Sequence, residues 1–373
     1  MSHMDKILID APNRLWLKNY TDFNLRIAFA DEMAEHGFYI PQSWLWNVVC
    51  NTGFIMCRIL ARLSLGAGNW GARLFSGFRS ALIDHLHPRV VITQGPYPPC
   101  VKNAKVIWET FFLGEDYSLV PDPEFKRGGS NFWVRQVEAY GPRVDVISVR
   151  GTRSAELLRK MYPEFAHKVV DLGFVKPEYR ICDEGSVRQR QMLKGRIELL
   201  FVGHLAEFKG LGELLTACKL LRDAGCRNFH LTIVSRLLNS PNVKIPNEDW
   251  VTWHRSLPHD KVMALMRGTQ VFVLPSKVDT YGLVYHEAMA NGCVVCVRDA
   301  EPQREFVDYG RAGARVDTKS AEILASQLKC LIEDPELRCR LALAGVRRYK
   351  GIYSQEKIRG AWASVLRELE DKV

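Results

Sequence analysis

Val271-Phe272-Val273-Leu274-Pro275-Ser276-Lys277-Val278-Asp279-Thr280-Tyr281-Gly282-Leu283-Val284-Tyr285-His286-Glu287-Ala288-Met289-Ala290-Asn291-Gly292-Cys293-Val294-Val295-Cys296-Val297 is the stretch on which the fold turns. It opens on a short apolar run and closes on another. Uninterrupted apolar runs of this length read as strands buried on both faces, the kind found in parallel sheets. Between them a loop feeds a helix expected over 283–290. Strand, loop, helix and strand in succession predict an α/β architecture.

The pattern extends both ways from this unit. Strands are expected at 199–203 and 231–234, with helices at 211–224, 260–267 and 321–332 and a terminal amphipathic helix at 355–370 carrying Trp362. In the first half, strands are expected at 7–9, 38–40, 90–93, 105–108 and 144–148. Helices are expected at 23–36 (stopped by Gly37), 44–65, 74–86 and 154–161. Both halves therefore read as doubly wound α/β. From about residue 176 to 196 the chain turns polar and charged. The expected organisation is an N-terminal domain over 1–180, a linker over 181–196, a nucleotide-binding domain over 197–354, and a terminal helix over 355–373 packing back toward the first domain. No short-period repeat is present.

Bulk properties narrow the function. The chain has 373 residues, which at about 100–200 residues per domain suits two domains. It carries 47% hydrophobic and 25% charged residues, an ordinary globular composition. A formal charge of +9 suits an anionic partner. The basic residues form no long run, so nucleic acid is not the expected partner. Ten irregularly spaced cysteines do not resemble a disulfide scaffold and read as reduced thiols in a cytoplasmic protein. The pair Cys293-x-x-Cys296 falls on an expected buried strand and reads as core. The most apolar stretch, 44–57, is shorter than the roughly 20 residues a bilayer span needs. The segment 44–65, with Trp44, Trp46, Arg58 and Arg62, reads as a core helix or groove wall, with peripheral docking on a membrane surface as the alternative.

In open α/β sheets, ligands bind beyond the carboxyl ends of the strands. After the strand at 199–203 comes Gly203-His204-Leu205-Ala206-Glu207-Phe208-Lys209-Gly210, where Lys209 precedes a helix start and its free N–H groups. Such a combination suits a phosphate. After the strand at 271–274, the helix beginning near Gly282 and Leu283 offers the same donors. Glu287, one turn in, can accept two hydroxyl hydrogen bonds, as a ribose would offer. Asp279, eight positions earlier, could reach sugar hydroxyls. Taken singly, each carboxylate could instead be a helix cap or a solvated side chain.

Asp279, the seven residues after it, and Glu287-Ala288-Met289-Ala290-Asn291-Gly292 resemble the acidic–seven–acidic motif of family 4 glycosyltransferases, retaining enzymes of the GT-B fold. The likeness continues through Glu305-Phe306-Val307-Asp308-Tyr309-Gly310 and Gly313, and Gly203 to Gly210 resembles the same family's glycine–lysine–glycine element. It covers roughly 199–316. It implies two Rossmann-like domains facing across a cleft and transfer of a sugar from a UDP- or GDP-linked donor to a glycan or glycolipid acceptor, with retention of configuration. It implies no required cofactor or metal. Glu287 then resembles the ribose-binding carboxylate, Asp279 the acid near the donor sugar, and Lys209 the diphosphate lysine. Gly282 and Leu283, with neighbouring Tyr281, resemble the phosphate-cradling helix start. By the same resemblance, His254-Arg255-Ser256 occupies the loop that meets the nucleobase, and Arg236 follows a strand end facing the same region.

Two departures stand out. His204 replaces the family's usual arginine, so either the imidazole is protonated near the phosphates or Arg236 or Arg255 supplies the charge. Asp279 is a methylene shorter than the usual glutamate. The first half resembles the family much less: its glycine-rich loop after the first strand is missing, and Glu109 is the acceptor-side catalytic candidate. Two other functions stay open, a nucleotide-sugar epimerase of GT-B architecture and a nucleotide- or glycan-binding homologue without activity.

Overall fold

The structure, a computed structural model, describes residues 7–10, 70–85, 87–94, 98–110, 132–173, 179–238, 240–277, 279 and 281–370. The helices expected at 23–36 and 44–65 and the strand at 38–40 lie outside the described residues. The chain divides into two compact units. One comprises residues 1–118, 122–177 and 358–373, the other 119–121 and 178–357.

In the first unit the described strands are β1 (Ile7–Asp10), β2 (Val90–Gln94), β3 (Lys105–Glu109), β4 (Val146–Val149) and β5 (Val169–Asp171). They form a parallel sheet in that order. Helices α1 (Trp70–His85), α2 (Phe132–Tyr140) and α3 (Thr152–Met161) belong to this unit. Ile7, Val90, Ile92, Ile107 and Val146 form one apolar cluster with Ile358, Trp362, Leu366 and Leu369 of the terminal helix. That spacing places one stripe of the helix on the sheet.

The second unit contains α4 (Glu184–Gln191), β6 (Ile197–Val202), α5 (Leu211–Asp223), β7 (Phe229–Val234), β8 (Val251–His254), α6 (His259–Gly268), β9 (Val271–Leu274), α7 (Leu283–Ala290), β10 (Val294–Arg298), α8 (Gln303–Phe306), β11 (Ala314–Val316), α9 (Ala321–Glu333) and α10 (Pro335–Arg348). The terminal helix α11 (Gln355–Glu370) follows and carries the chain into the first unit. All six strands are parallel, in the order β11-β10-β9-β6-β7-β8. The chain runs outward from β6 to β8 on one side, then returns to lay β9 against β6 and runs outward to β11. The order reverses between β6 and β9, and at such a reversal the following loops diverge and leave a crevice at the carboxyl edge. Phe201, Phe229, Phe272 and Tyr285 are fully buried in the core beneath it. Each such apolar side chain contributes roughly 1.5–3 kcal/mol relative to exposure.

The segment expected to be a linker, 181–196, is built into the second unit. Its helix α4 buries Val187 and Gln191, and Cys182 N–H donates to the Ala290 carbonyl at 2.8 Å. The segment looks polar in sequence because hydrogen bonds do much of its anchoring. Arg190 Nη2 reaches the Asn291 and Gly292 carbonyls at 2.6 Å, and Gln191 Nε2 reaches those of Gln270 and Gly292 at 3.0 Å. A second difference is β8, an edge strand over Val251–His254 that is not among the expected strands.

Candidate functional site

Two segments frame the crevice, residues 203–210 after β6 and, after β9, residues 275–277, 279, 281 and 282. Lys277 N–H donates to the Phe208 carbonyl at 3.0 Å, which joins them. Gly210 sits at φ +78°, and a Cβ there would lie 2.5 Å from the Pro275 carbonyl oxygen. Only glycine allows this approach of one backbone to the other. The consequence is local: Lys209 Nζ lies 2.6 Å from Asp279 Oδ2. Both side chains are largely buried, and sequence reading placed both in the donor site from separate strand ends.

Gly282 precedes α7 in the left-handed region, φ +65°, where an added Cβ would stand 2.3 Å from Tyr285 Cδ2. Leu283 begins the helix, half-buried, and the N–H groups of a first turn have no partner within the helix. Tyr281 is buried beside this start, edge-on to His286 with centroids 4.7 Å apart. Glu287 is 9% exposed. Its Oε1 accepts from Tyr179 Oη at 2.8 Å and from His259 Nε2 at 3.0 Å. Burial first, then the Glu287 carboxylate, pushes the Tyr179 phenol far above its ordinary range, so it remains a donor. The hydrogen bond to Glu287 raises the His259 imidazole, against an opposing contribution from its own desolvation.

A third group lies at the ends of β6, β7 and β8. Gly203 N–H donates to the Val234 carbonyl at 3.0 Å. His204 Nδ1 accepts the Arg236 backbone N–H at 3.3 Å, and Arg236 Nη2 lies 3.5 Å from Ser256 Oγ. Arg255, beside Ser256, is exposed. An Nδ1 that accepts carries no proton. Desolvation, and next the Arg236 charge, hold His204 below its ordinary value. The Arg236 guanidinium, one of the two alternatives named for the charge at this position, lies beside His204.

The residues named from sequence thus fall into three groups along one carboxyl edge: Lys209 with Asp279, the start of α7 with Glu287, and His204 with Arg236 and Ser256. Tyr179 and His259 were not among them. They lie 108 and 28 residues from Glu287, and no local spacing announces either contact. Glu109 belongs to the first unit. It is buried at the end of β3, with Oε2 3.8 Å from Arg150 Nη2, and is not a surface carboxylate. Cys293 and Cys296 are both buried, and burial pushes the Cys293 thiol up to about 12, which fits core packing. The eight cysteines among the described residues are free thiols.

Residues 185–348 match the family model of the glycosyl transferases group 1. The match lies within the second unit. A curated relative, D-inositol 3-phosphate glycosyltransferase from Arthrobacter sp. (strain FB24), is 29% identical over 212 residues, covering 53% of this chain and 49% of its own. The chain spans about half the length of the curated relatives it matches first. Among solved structures, sucrose-phosphate synthase from Thermosynechococcus elongatus superposes with a TM-score of 0.61 at 18% identity, covering 79% of this chain and 78% of that one. The UDP-forming alpha,alpha-trehalose-phosphate synthase from Burkholderia vietnamiensis has a TM-score of 0.61 at 11% identity, covering 97% and 99%. These likenesses show the fold, GT-B with two Rossmann-like units. Lys209, Arg236, Asp279 and Glu287 lie within the matched span. Among the described residues, no helix is long and apolar enough to cross a membrane.

Proposed function

We propose that the protein is a glycosyltransferase that moves a sugar from a UDP- or GDP-linked donor to a hydroxyl of a glycan or glycolipid acceptor, as a retaining member of family 4. The observation that carries this reading is the convergence of Lys209, Asp279 and the start of α7 at the switch point of the second sheet. Departure of a nucleoside diphosphate puts negative charge on its phosphates. Fixed positive groups and helix N–H donors stabilise that charge without reorganising during the reaction. Lys209 and the first turn of α7 are assigned to that task, Glu287 to the ribose, and Asp279 to the transferred sugar. Arg236, Arg255 and Ser256 are assigned to the nucleobase side. With the charge assigned to protein groups, turnover is expected to survive EDTA. On the acceptor side, Glu109 is a candidate anchor. A membrane-surface contact would fall to residues 44–65, outside the described residues.

The test is a panel of nucleotide-sugars with and without glycan and glycolipid acceptors. Release of free nucleoside diphosphate is the expected result. A converted sugar still joined to its nucleotide would establish the epimerase instead. Binding without turnover across the panel would establish a binding protein.

A further inference from the structure

Glu287 holds its two partners on one oxygen. Tyr179 Oη and His259 Nε2 both donate to Oε1, at 2.8 and 3.0 Å, and no other hydrogen bond to this carboxylate comes from a described side chain. A carboxylate has two oxygens and about four lone-pair directions. Two donors on Oε1 use its capacity and leave the two directions on Oε2. That remainder matches a vicinal diol, which offers two neighbouring O–H donors.

The two donors also fix the plane of the carboxylate. The Tyr179 ring packs on the core of the second unit, 6.4 Å from the Tyr349 ring and 6.0 Å from that of His259. His259 is the first residue of α6, so its backbone is set by the helix. Tyr179 comes from the segment leading into α4, His259 from the start of α6 and Glu287 from α7. Three separate elements therefore meet on one oxygen. The side chain of a glutamate has freely rotating bonds, and without these donors Oε2 would not point one way.

We propose that Tyr179 and His259 are positioning residues that aim Glu287 Oε2 at the 2′,3′-diol of a nucleoside diphosphate, and so set the selectivity of the site for ribose. This rests on the assignment of Glu287 to the ribose. The two residues act through Glu287 and touch no substrate themselves.

The experiment is calorimetric titration of the full chain with UDP, GDP and ADP and their 2′,3′-dideoxy counterparts. The wild-type protein is expected to prefer one ribonucleotide over its dideoxy analogue by at least about tenfold, since a site built for hydroxyl donors is left unpaired without them. Tyr179→Phe keeps the ring packing and removes one donor. It is expected to lower that ratio several-fold, and Tyr179→Phe with His259→Ala to bring it near one, while affinity for the dideoxy nucleotide holds. A lost packing role would weaken both nucleotides alike, so a ratio unchanged in the double variant overturns the proposal. Glu287→Gln separates this from failure of the underlying assignment. If Glu287→Gln abolishes the preference and the double variant does not, the ribose assignment stands and the positioning role falls. If the wild-type protein shows no preference, or binds none of the three nucleotides, the assignment falls and takes this inference with it.

Discussion

Lys209 Nζ and Asp279 Oδ2 stand 2.6 Å apart across 70 residues of sequence. The cation assigned to the diphosphate is therefore held by the carboxylate assigned to the sugar. At an effective dielectric of about 20, two unit charges 4 Å apart interact by roughly 4 kcal/mol, so each partner matters to an incoming phosphate. Lys209→Ala removes the attraction and exposes the phosphate to Asp279. We expect nucleoside diphosphate affinity to fall by tenfold or more and turnover to fall with it. Asp279→Asn removes a repulsion and should tighten the nucleoside diphosphate about tenfold while turnover drops. Calorimetry and a nucleotide-release assay on both variants check this. Equal weakening by the two substitutions would mean that the pair only holds the loops together.

Gly282 is a second point of constraint. Alanine there would occupy φ +65° and drive Cβ to 2.3 Å from Tyr285 and 2.9 Å from Phe306, both in the core. A non-glycine residue held in this region costs of order 1–3 kcal/mol before any steric conflict is counted. Gly282→Ala should lower the unfolding temperature and displace the first turn of α7, with loss of nucleotide affinity beyond what the stability change explains. A thermal melt beside a binding titration separates the two effects. A variant that melts and binds like the wild type would show that this turn tolerates a side chain.

How far the sequence could be read depended on what each segment buries. Strands β6, β9 and β10 lie inside the sheet, and their apolar runs 199–202, 271–274 and 293–297, which end at Gly203, Pro275 and Arg298, are legible. β8 is an edge strand whose Thr252 and Trp253 are exposed, and it carries no such signal. The 184–191 helix reads as a polar connection because Arg190 and Gln191 secure it through backbone carbonyls. Helix α10, which is not among the expected helices, starts with Asp334 capping Leu337 N–H and Pro335 in the first turn. The candidates Lys209, Asp279 and Glu287 could be named from sequence because they follow strand ends at set spacings. Tyr179 and His259 could not, because their contacts with Glu287 form only where three distant elements meet.

Arg338 shows the same kind of long-range closure in the frame of the domain. It is 1% exposed. Nη1 donates to the Leu331 and Ile332 carbonyls at 2.7 and 2.8 Å, and Nη2 to those of Gln191 and Leu193 at 3.0 and 3.4 Å. These carbonyls lie at the C-terminal ends of α9 and α4, where backbone acceptors lack partners and the helix dipole favours a cation. Arg338→Leu would leave several acceptors buried and unpaired, at about 1–3 kcal/mol for each one that water cannot reach. We expect a loss of about 3 kcal/mol, or roughly 6–12 °C in unfolding temperature for a domain of this size. Calorimetry checks it, and a shift under 2 °C would mean that water replaces the guanidinium.

His259 gives the site a pH dependence whose sign is fixed by its environment. Its imidazole is raised above the ordinary value, first by the hydrogen bond to Glu287, with the charges of Glu287 and Asp260 adding and partial desolvation opposing. The Tyr179 ring faces it from the segment before α4 and stays neutral. A group whose pKa is higher in the folded than in the unfolded state stabilises the fold when protonated. The contribution is complete below the unfolded value, about 6.5 for histidine, and is lost as pH rises through the folded value. The difference in unfolding temperature between the wild-type protein and His259→Ala should therefore be largest near pH 5.5 and shrink toward pH 8.5. Only the hydrogen bond of the neutral ring would then remain. Melting curves for both proteins across that range provide the check. A difference that stays constant or grows with pH would mean that His259 does not bind its proton on the side facing Glu287.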